Sequence, residues 1–129
     1  MLIATNYGEL YDWNTAKTIC PENWYLPSRQ EWEALVKVSG GKKAGKKLKA
    51  KRGWNQQGEG TDEYGFTALP GGYRNSNGHF DNVDNNGRWW TATEDSDGYA
   101  YNRYIYNGDN VIELNNDKNI GLSVRCIAD

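Results

Sequence analysis

The chain is short of what usually builds a core. Leucine, isoleucine and valine are sparse and there are only two phenylalanines in 129 residues, so six tryptophans and nine tyrosines supply much of the apolar surface. Disorder does not follow, because disordered chains lack aromatics. No hydrophobic run is long enough to cross a bilayer, which argues against membrane insertion. No signal-peptide pattern opens the chain: Met1 runs straight into domain-like sequence, as expected of a single domain, 1–129, cut from a longer secreted protein. The one histidine, His79, sits in the polar stretch between Asn75 and Asn82 and reads as a surface residue. There is no nucleophile elbow and no phosphate-binding loop. Acids are plentiful, but nothing marks out a pair for acid–base work. No enzyme is expected.

Cysteine is equally scarce. Cys20 and Cys126, even with His79, are too few ligands for a zinc site. They are either free thiols or one disulfide. A bridge between them would close almost the whole chain, with a chain-entropy contribution of roughly 4–5 kcal/mol, and would place the protein in an oxidising compartment.

The net charge is −2 and unevenly spread. Seven of the fifteen basic residues lie between Lys42 and Arg52 with no acid among them, leaving −9 on the rest. That balance excludes a general nucleic-acid binder and suits a monomeric module. The basic run is either a grip for polyanions or a solvated loop anchored by Leu48 and Trp54; the solvated loop is the commoner outcome.

Fifteen glycines and fifteen asparagines signal many turns on few regular elements. Leu2-Ile-Ala-Thr5 is a short candidate strand. A first helix is expected from Trp13 to Cys20, capped by Asp12, with Trp13, Ala16, Ile19 and Cys20 on one face. The clearest helix start is Pro27-Ser28-Arg-Gln-Glu31-Trp32. Ser28 and Glu31 have the spacing of a capping box, Pro27 stands just outside, and Trp32, Leu35 and Val36 share a face. This helix, Arg29 to Val38, ends at Gly40-Gly41. Residues 42–86 show little periodicity, only scattered aromatics that would pin loops to a core. Three strands then follow, Arg88–Thr93, Tyr99–Tyr106 and Val111–Leu114, with Asn107-Gly108 as a hairpin turn. A last strand is expected from Leu122 to Ile127, with Leu122, Val124 and Cys126 pointing inward.

Between Arg88 and Asn119, tyrosines and asparagines recur, residues that combine rigid contact area with adaptable hydrogen bonding, while tryptophan and tyrosine rings also stack on sugars. The candidate ligand face is Trp89, Trp90, Tyr99, Asn102, Tyr104, Tyr106, Asn107, Asp109, Asn110, Asn115, Asn116 and Asn119. If Leu122, Val124 and Ile105 are core, then Asn102, Tyr104 and Tyr106 lie on the open side. No cofactor is required, although calcium is weighed. Asn82-Val-Asp84-Asn-Asn86-Gly87 resembles the start of an EF-hand loop, but its twelfth residue is Thr93 and Glu94 comes one late. Asp81, Asp84, Asp95 and Asp97 are loose calcium candidates against a background of asparagine- and aspartate-rich turns.

Trp24-Tyr-Leu-Pro-Ser-Arg-Gln-Glu-Trp32, Ala44-Gly-Lys-Lys-Leu48, Gly60-Thr-Asp-Glu-Tyr-Gly-Phe-Thr-Ala-Leu-Pro-Gly-Gly-Tyr-Arg74, Trp89-Trp-Thr-Ala-Thr-Glu94 and Gly121-Leu-Ser-Val-Arg-Cys126 resemble, in order, the successive blocks of the Fibrobacter succinogenes major paralogous domain, FISUMP. The resemblance spans about residues 8 to 129; the family usually has more chain before Tyr7-Gly8. It implies an α+β protein of C-type-lectin-like fold: two helices, long loops and a twisted, mainly antiparallel sheet. It also implies a bridge between a first-helix cysteine and a last-strand cysteine, the positions of Cys20 and Cys126. It further implies a bacterial protein that is secreted or displayed at the cell surface. The calcium–sugar triplets of sugar-binding C-type lectins are absent here. The related formylglycine-generating enzymes depend on reactive cysteines, whereas Cys20 and Cys126 are explained structurally. Some proteins of this type are diversified by retroelements that rewrite asparagine codons, and the C-terminal asparagines lie in the matching stretch. The expected function is therefore extracellular recognition of a protein or a glycan, with a passive display module as the alternative.

Overall fold

The computed structural model describes residues 9–128. The expected strand at Leu2–Thr5 lies outside the described residues. In chain order come α1 (Trp13–Ala16), β1 (Trp24–Tyr25), α2 (Arg29–Val38), a 3-10 turn (Gly41–Lys43), α3 (Gly45–Leu48), β2 (Tyr73–Arg74), β3 (Phe80–Asp81), β4 (Asn86–Ser96), β5 (Tyr99–Tyr106), β6 (Val111–Asp117) and β7 (Ile127–Ala128). β4, β5 and β6 form an antiparallel meander; β1–β7 and β2–β3 are two-stranded antiparallel pairs. The class is α+β.

Local chemistry sets the helix starts. The Asp12 side chain accepts from the Thr15 N–H and caps α1. This helix is one turn long and stops at Ala16, not Cys20. The chain then turns toward Pro21, which leaves Ile19 exposed rather than on a buried helix face. α2 keeps its expected bounds, with both halves of the capping box formed: the Glu31 N–H donates to Ser28 Oγ and the Ser28 N–H to Glu31 Oε1. Gly40 and Gly41 carry the positive φ, +119° and +77°, that ends it.

A bulge in β4 couples α2 to the sheet. Trp90 pairs with Asn102 and Glu94 with Ala100, so three residues of β4 oppose one of β5. The bulged residues are used. The Ala92 N–H donates to the Pro27 carbonyl, Thr93 Oγ1 accepts from the Arg29 N–H, and the Thr91 carbonyl accepts from the Trp13 indole.

The meander is buried on both faces, each against its own cluster. On one, Trp89 and Ile105 pack with Trp32 and Val36 of α2, and with Leu48, Trp54 and Phe66. On the other, Trp90 and Ala100 pack with Trp13, Ala16, Leu26 and Leu122. Ile105 and Leu122 are therefore core residues of opposite faces, not one. The expected strand Leu122–Ile127 is broken: residues 121–123 form isolated bridges to Arg74, Tyr11 and Trp89, and only Ile127–Ala128 pair as a strand, with β1. Three partners in different directions leave no continuous ladder. The Cys20–Cys126 disulfide forms, with Cα atoms 5.8 Å apart across 106 positions.

The 42–86 region is loop-rich but tied down. Leu48 and Trp54 are buried, as expected of anchors, and most of the lysines around them are exposed. Lys49 is the exception at 0% exposure. Its ammonium donates to the carbonyls of Tyr106, Asn107 and Gly108 at 3.3, 3.2 and 2.6 Å, and so holds the β5–β6 hairpin tip from within. Burial lowers its pKa, opposed by the fields of Asp109 and Glu59. α3 lies directly on the same tip. The Gly45 N–H donates to the Asp109 carbonyl at 2.8 Å, and a Cβ at Gly45 would stand 2.6 Å from that oxygen, so only glycine fits.

Candidate functional site

Strand pairing puts four rungs of side chains on the Trp90 face of the meander: Asn86 opposite Tyr106; Arg88, Tyr104 and Ile112; Trp90, Asn102 and Leu114; Ala100 and Asn116. α1 and Leu122 cover the Trp90–Ala100 end. Toward the Tyr106 end the cover stops. Tyr104 and Tyr106 are half-buried and stack with ring centroids 5.8 Å apart and planes 10° from parallel. Arg88 lies between Tyr73 and Tyr104, at 4.3 and 5.2 Å from their ring centroids. Ile112, 38% exposed, borders the pair.

Arg88 has no carboxylate within ion-pair distance among the described residues; one nitrogen donates to Asn116 Oδ1 at 3.4 Å. Burial lowers its pKa, against a smaller upward pull from Tyr73 and Tyr104, and a guanidinium stays charged at neutral pH. Its Nε is buried without a partner, as are Asn86 Oδ1 and Asn102 Oδ1 on the same face. The patch thus offers two nearly parallel aromatic rings and a cation without an acid among the described residues, with the half-buried Asn116 amide at its edge. Such a surface can stack on an apolar ring face and donate to an acceptor or anion.

The structure divides the predicted ligand residues. Tyr104, Tyr106 and Asn116 come together on this patch. Trp89, Trp90 and Asn102 do not reach it as surface: they are 2%, 0% and 0% exposed. Adjacent tryptophans on a strand point to opposite faces, and here both faces are core. Asn102 instead donates to Asn116 at 2.8 Å. Tyr99 and Asn115 point to the α2 side, where Asn115 donates to Asp95 and Tyr101 stacks under Arg29 at 4.0 Å. Asn107, Asp109 and Asn110 belong to the hairpin tip, where Asn107 donates to Gln56 at 2.8 Å. Asn119 is exposed at the other end, in the turn after β6.

The calcium candidates are not gathered. Asp81 accepts from Asn75, and Asp95 from Tyr101 and Asn115. The Asp84 backbone bonds to Pro70 and Asn55, and the Asp97 carbonyl takes Lys118. Asn86-Gly87 opens β4 instead of continuing an ion-binding loop. Among the described residues no three His, Cys, Asp or Glu converge to hold an ion. His79 is exposed at the β2–β3 turn. Sequence reasoning missed Arg88 and Tyr73. Arg88 was legible as the partner of Tyr104 once β4 and β5 were paired; no local signal places Tyr73.

The family model of the Fibrobacter succinogenes major domain matches residues 3–128. The chain belongs to this family. No curated protein and no solved structure matches the chain. Within this Fibrobacter major domain, the Cys20–Cys126 bridge and the absence of any helix long and apolar enough to span a membrane, among the described residues, are compatible with an extracellular or surface domain.

Proposed function

We propose that this domain is a ligand-binding module of C-type-lectin-like type that works outside the cell or at a bacterial cell surface, and that the Tyr73–Arg88–Tyr104–Tyr106 patch meets the ligand. The observation that carries the reading is the half-buried Tyr104–Tyr106 stack beside an arginine with no acidic partner among the described residues. Burial of a cation favours pairing with an anion, so a half-buried arginine without an acid among the described residues, beside half-buried aromatic rings, favours a ligand that brings acceptors. Glycans and proteins both can. Stacked tyrosines suit a sugar ring, and the tyrosine–asparagine content with Ile112 suits a protein surface. Binding, not catalysis, is the proposed activity. The exposed asparagines 115 and 119 and the half-buried 107 and 110 lie at the ends and edge of the meander, where retroelement diversification would alter contacts without touching the core.

A glycan array probed with the oxidised domain, once with calcium and once with chelator, tests the reading. Hits under both conditions that disappear in Tyr104→Ala support direct stacking. Hits that vanish with chelator relocate the site to the aspartate loops. A blank moves the search to protein ligands, by pull-down with the intact and Tyr104→Ala surfaces. A domain whose captured partners are unchanged by Tyr104→Ala is a display module.

A further inference from the structure

The α2 side of the molecule holds a second feature, independent of the tyrosine patch. We propose that the cavity between α2 and the Arg125–Ile127 segment binds a small apolar monocarboxylate, with its ring among Trp32, Leu35, Tyr64 and Phe66 and its carboxylate on Arg125.

The cavity is about 180 Å³, walled by Pro27, Trp32, Leu35, Tyr64, Phe66 and Ile127. That is below the roughly 300–1,000 Å³ of sites for drug-sized ligands, and fits a one-ring molecule. Its walls are apolar, yet its lining includes a buried indole N–H donor and a guanidinium. Trp32 is 2% exposed and its indole N–H has no partner among the described residues. Arg125 is 5% exposed, lies 4.7 Å over Phe66 and gives one hydrogen bond, to the Thr67 carbonyl at 2.8 Å. No carboxylate among the described residues comes within ion-pair distance of it. Asp62, the acid whose field it feels, is held by the Thr67 N–H and hydroxyl. Burial lowers the guanidinium to about 10, still charged at neutral pH. A cation in an apolar wall is stabilised by an anion in the same wall. The one acid lining the cavity, Glu31, is committed: the Ser28 N–H and the Tyr25 hydroxyl occupy its two oxygens. A ligand with one carboxylate and an apolar body supplies what the site lacks, and its body displaces water from an apolar pocket.

The test is an NMR titration of the oxidised, intact domain with phenylacetate, and with phenylacetamide as the neutral match. The expected result is saturable shifts at Leu35, Tyr64 and Phe66, with the acid bound roughly tenfold or more tighter than the amide, as for one charge-assisted contact. Equal binding of acid and amide, or no saturable shift at these residues, overturns the proposal. Arg125→Gln is expected to erase the acid preference; should that variant not fold, the acid–amide comparison in the unaltered protein still decides. Trp32→Phe, which keeps a ring and removes the N–H, is expected to weaken the acid several-fold. Tyr104→Ala leaves these shifts unchanged, so failure here and failure of the tyrosine patch are read separately.

Discussion

The two faces of the meander share a backbone but not a fate. On the α2 face, helix, 3-10 turn and loops cover the strands, and the rim is closed by charge: Arg29 bonds Glu113 through two nitrogens at 2.7 and 2.8 Å, and Arg103 lies 3.4 Å from Glu113 and 3.7 Å from Glu33. On the Trp90 face, the cover from α1 and Leu122 does not reach Tyr104 and Tyr106, which are half-buried, and Arg88 beside them has no acid within ion-pair distance among the described residues. A half-buried aromatic pair is therefore not by itself informative. What sets the Tyr104 patch apart is that Arg103, one residue away on the same strand, has two carboxylates within ion-pair distance on the other side, whereas Arg88 has none among the described residues.

The largest expected effect is at the bridge that holds the Trp90 side together: Cys20→Ser is expected to lower stability by about 4–5 kcal/mol on the chain-entropy model, read by urea denaturation against the oxidised parent. A loss near zero would mean that α1 and the last strand are held without it. Next, the neighbours Ile105 and Tyr106 point to opposite faces. Ile105→Ala is expected to cost about 2–5 kcal/mol, and Tyr106→Ala about 1 kcal/mol or less while reducing ligand capture. Equal costs would erase the distinction between a covered and an open face. Lys49→Met leaves three carbonyls of the hairpin tip without their donor and is expected to cost about 1–3 kcal/mol, with hydrogen exchange faster at Tyr106–Gly108 than elsewhere.

The smallest effect lies at the start of α2. Burial alone would raise the Glu31 pKa, but donation from Ser28 and Tyr25 outweighs it, so the folded value is lowered from 4.5. Asp12 is lowered likewise, chiefly by the Thr15 backbone. A carboxylate with a depressed folded pKa stabilises fully above its unfolded value and loses that contribution as pH falls through the folded one. Stability should therefore decline below about pH 4.5, and Glu31→Gln should flatten part of that decline. Ser28→Ala is expected to cost about 1 kcal/mol at neutral pH. An unchanged acid limb in Glu31→Gln would remove the capping box from the balance.

The legible parts of this fold are the local ones. Ser28 and Glu31 announce α2 because both partners of the capping box lie within one turn. Strand β5 shows in its alternation, and its bounds hold at Tyr99–Tyr106. What was not legible depends on distant chain. Nothing in the basic run separates Lys49 from its six exposed or half-exposed neighbours, since its partners lie 57 to 59 positions away. Trp90 and Asn102 looked like recognition residues because alternation assigns faces but does not say whether a face is covered; α1 and Leu122 decide that. Arg125 sits between inward-reading positions, and only the fold shows that it is buried as well.

The lysine under the hairpin tip has a consequence for how this protein can change. Lys49 grips main-chain oxygens at 106, 107 and 108, and every amino acid brings the same oxygen to those places. Gly108 is constrained by the Tyr106 ring beside it and the Asn107 amide donates to Gln56, but Lys49 itself takes nothing from the side chains at 106 and 107. The tip is a mount whose fitting can be exchanged while its fixings stay put. Heritable variation can rewrite the chemistry displayed there without renegotiating the architecture beneath.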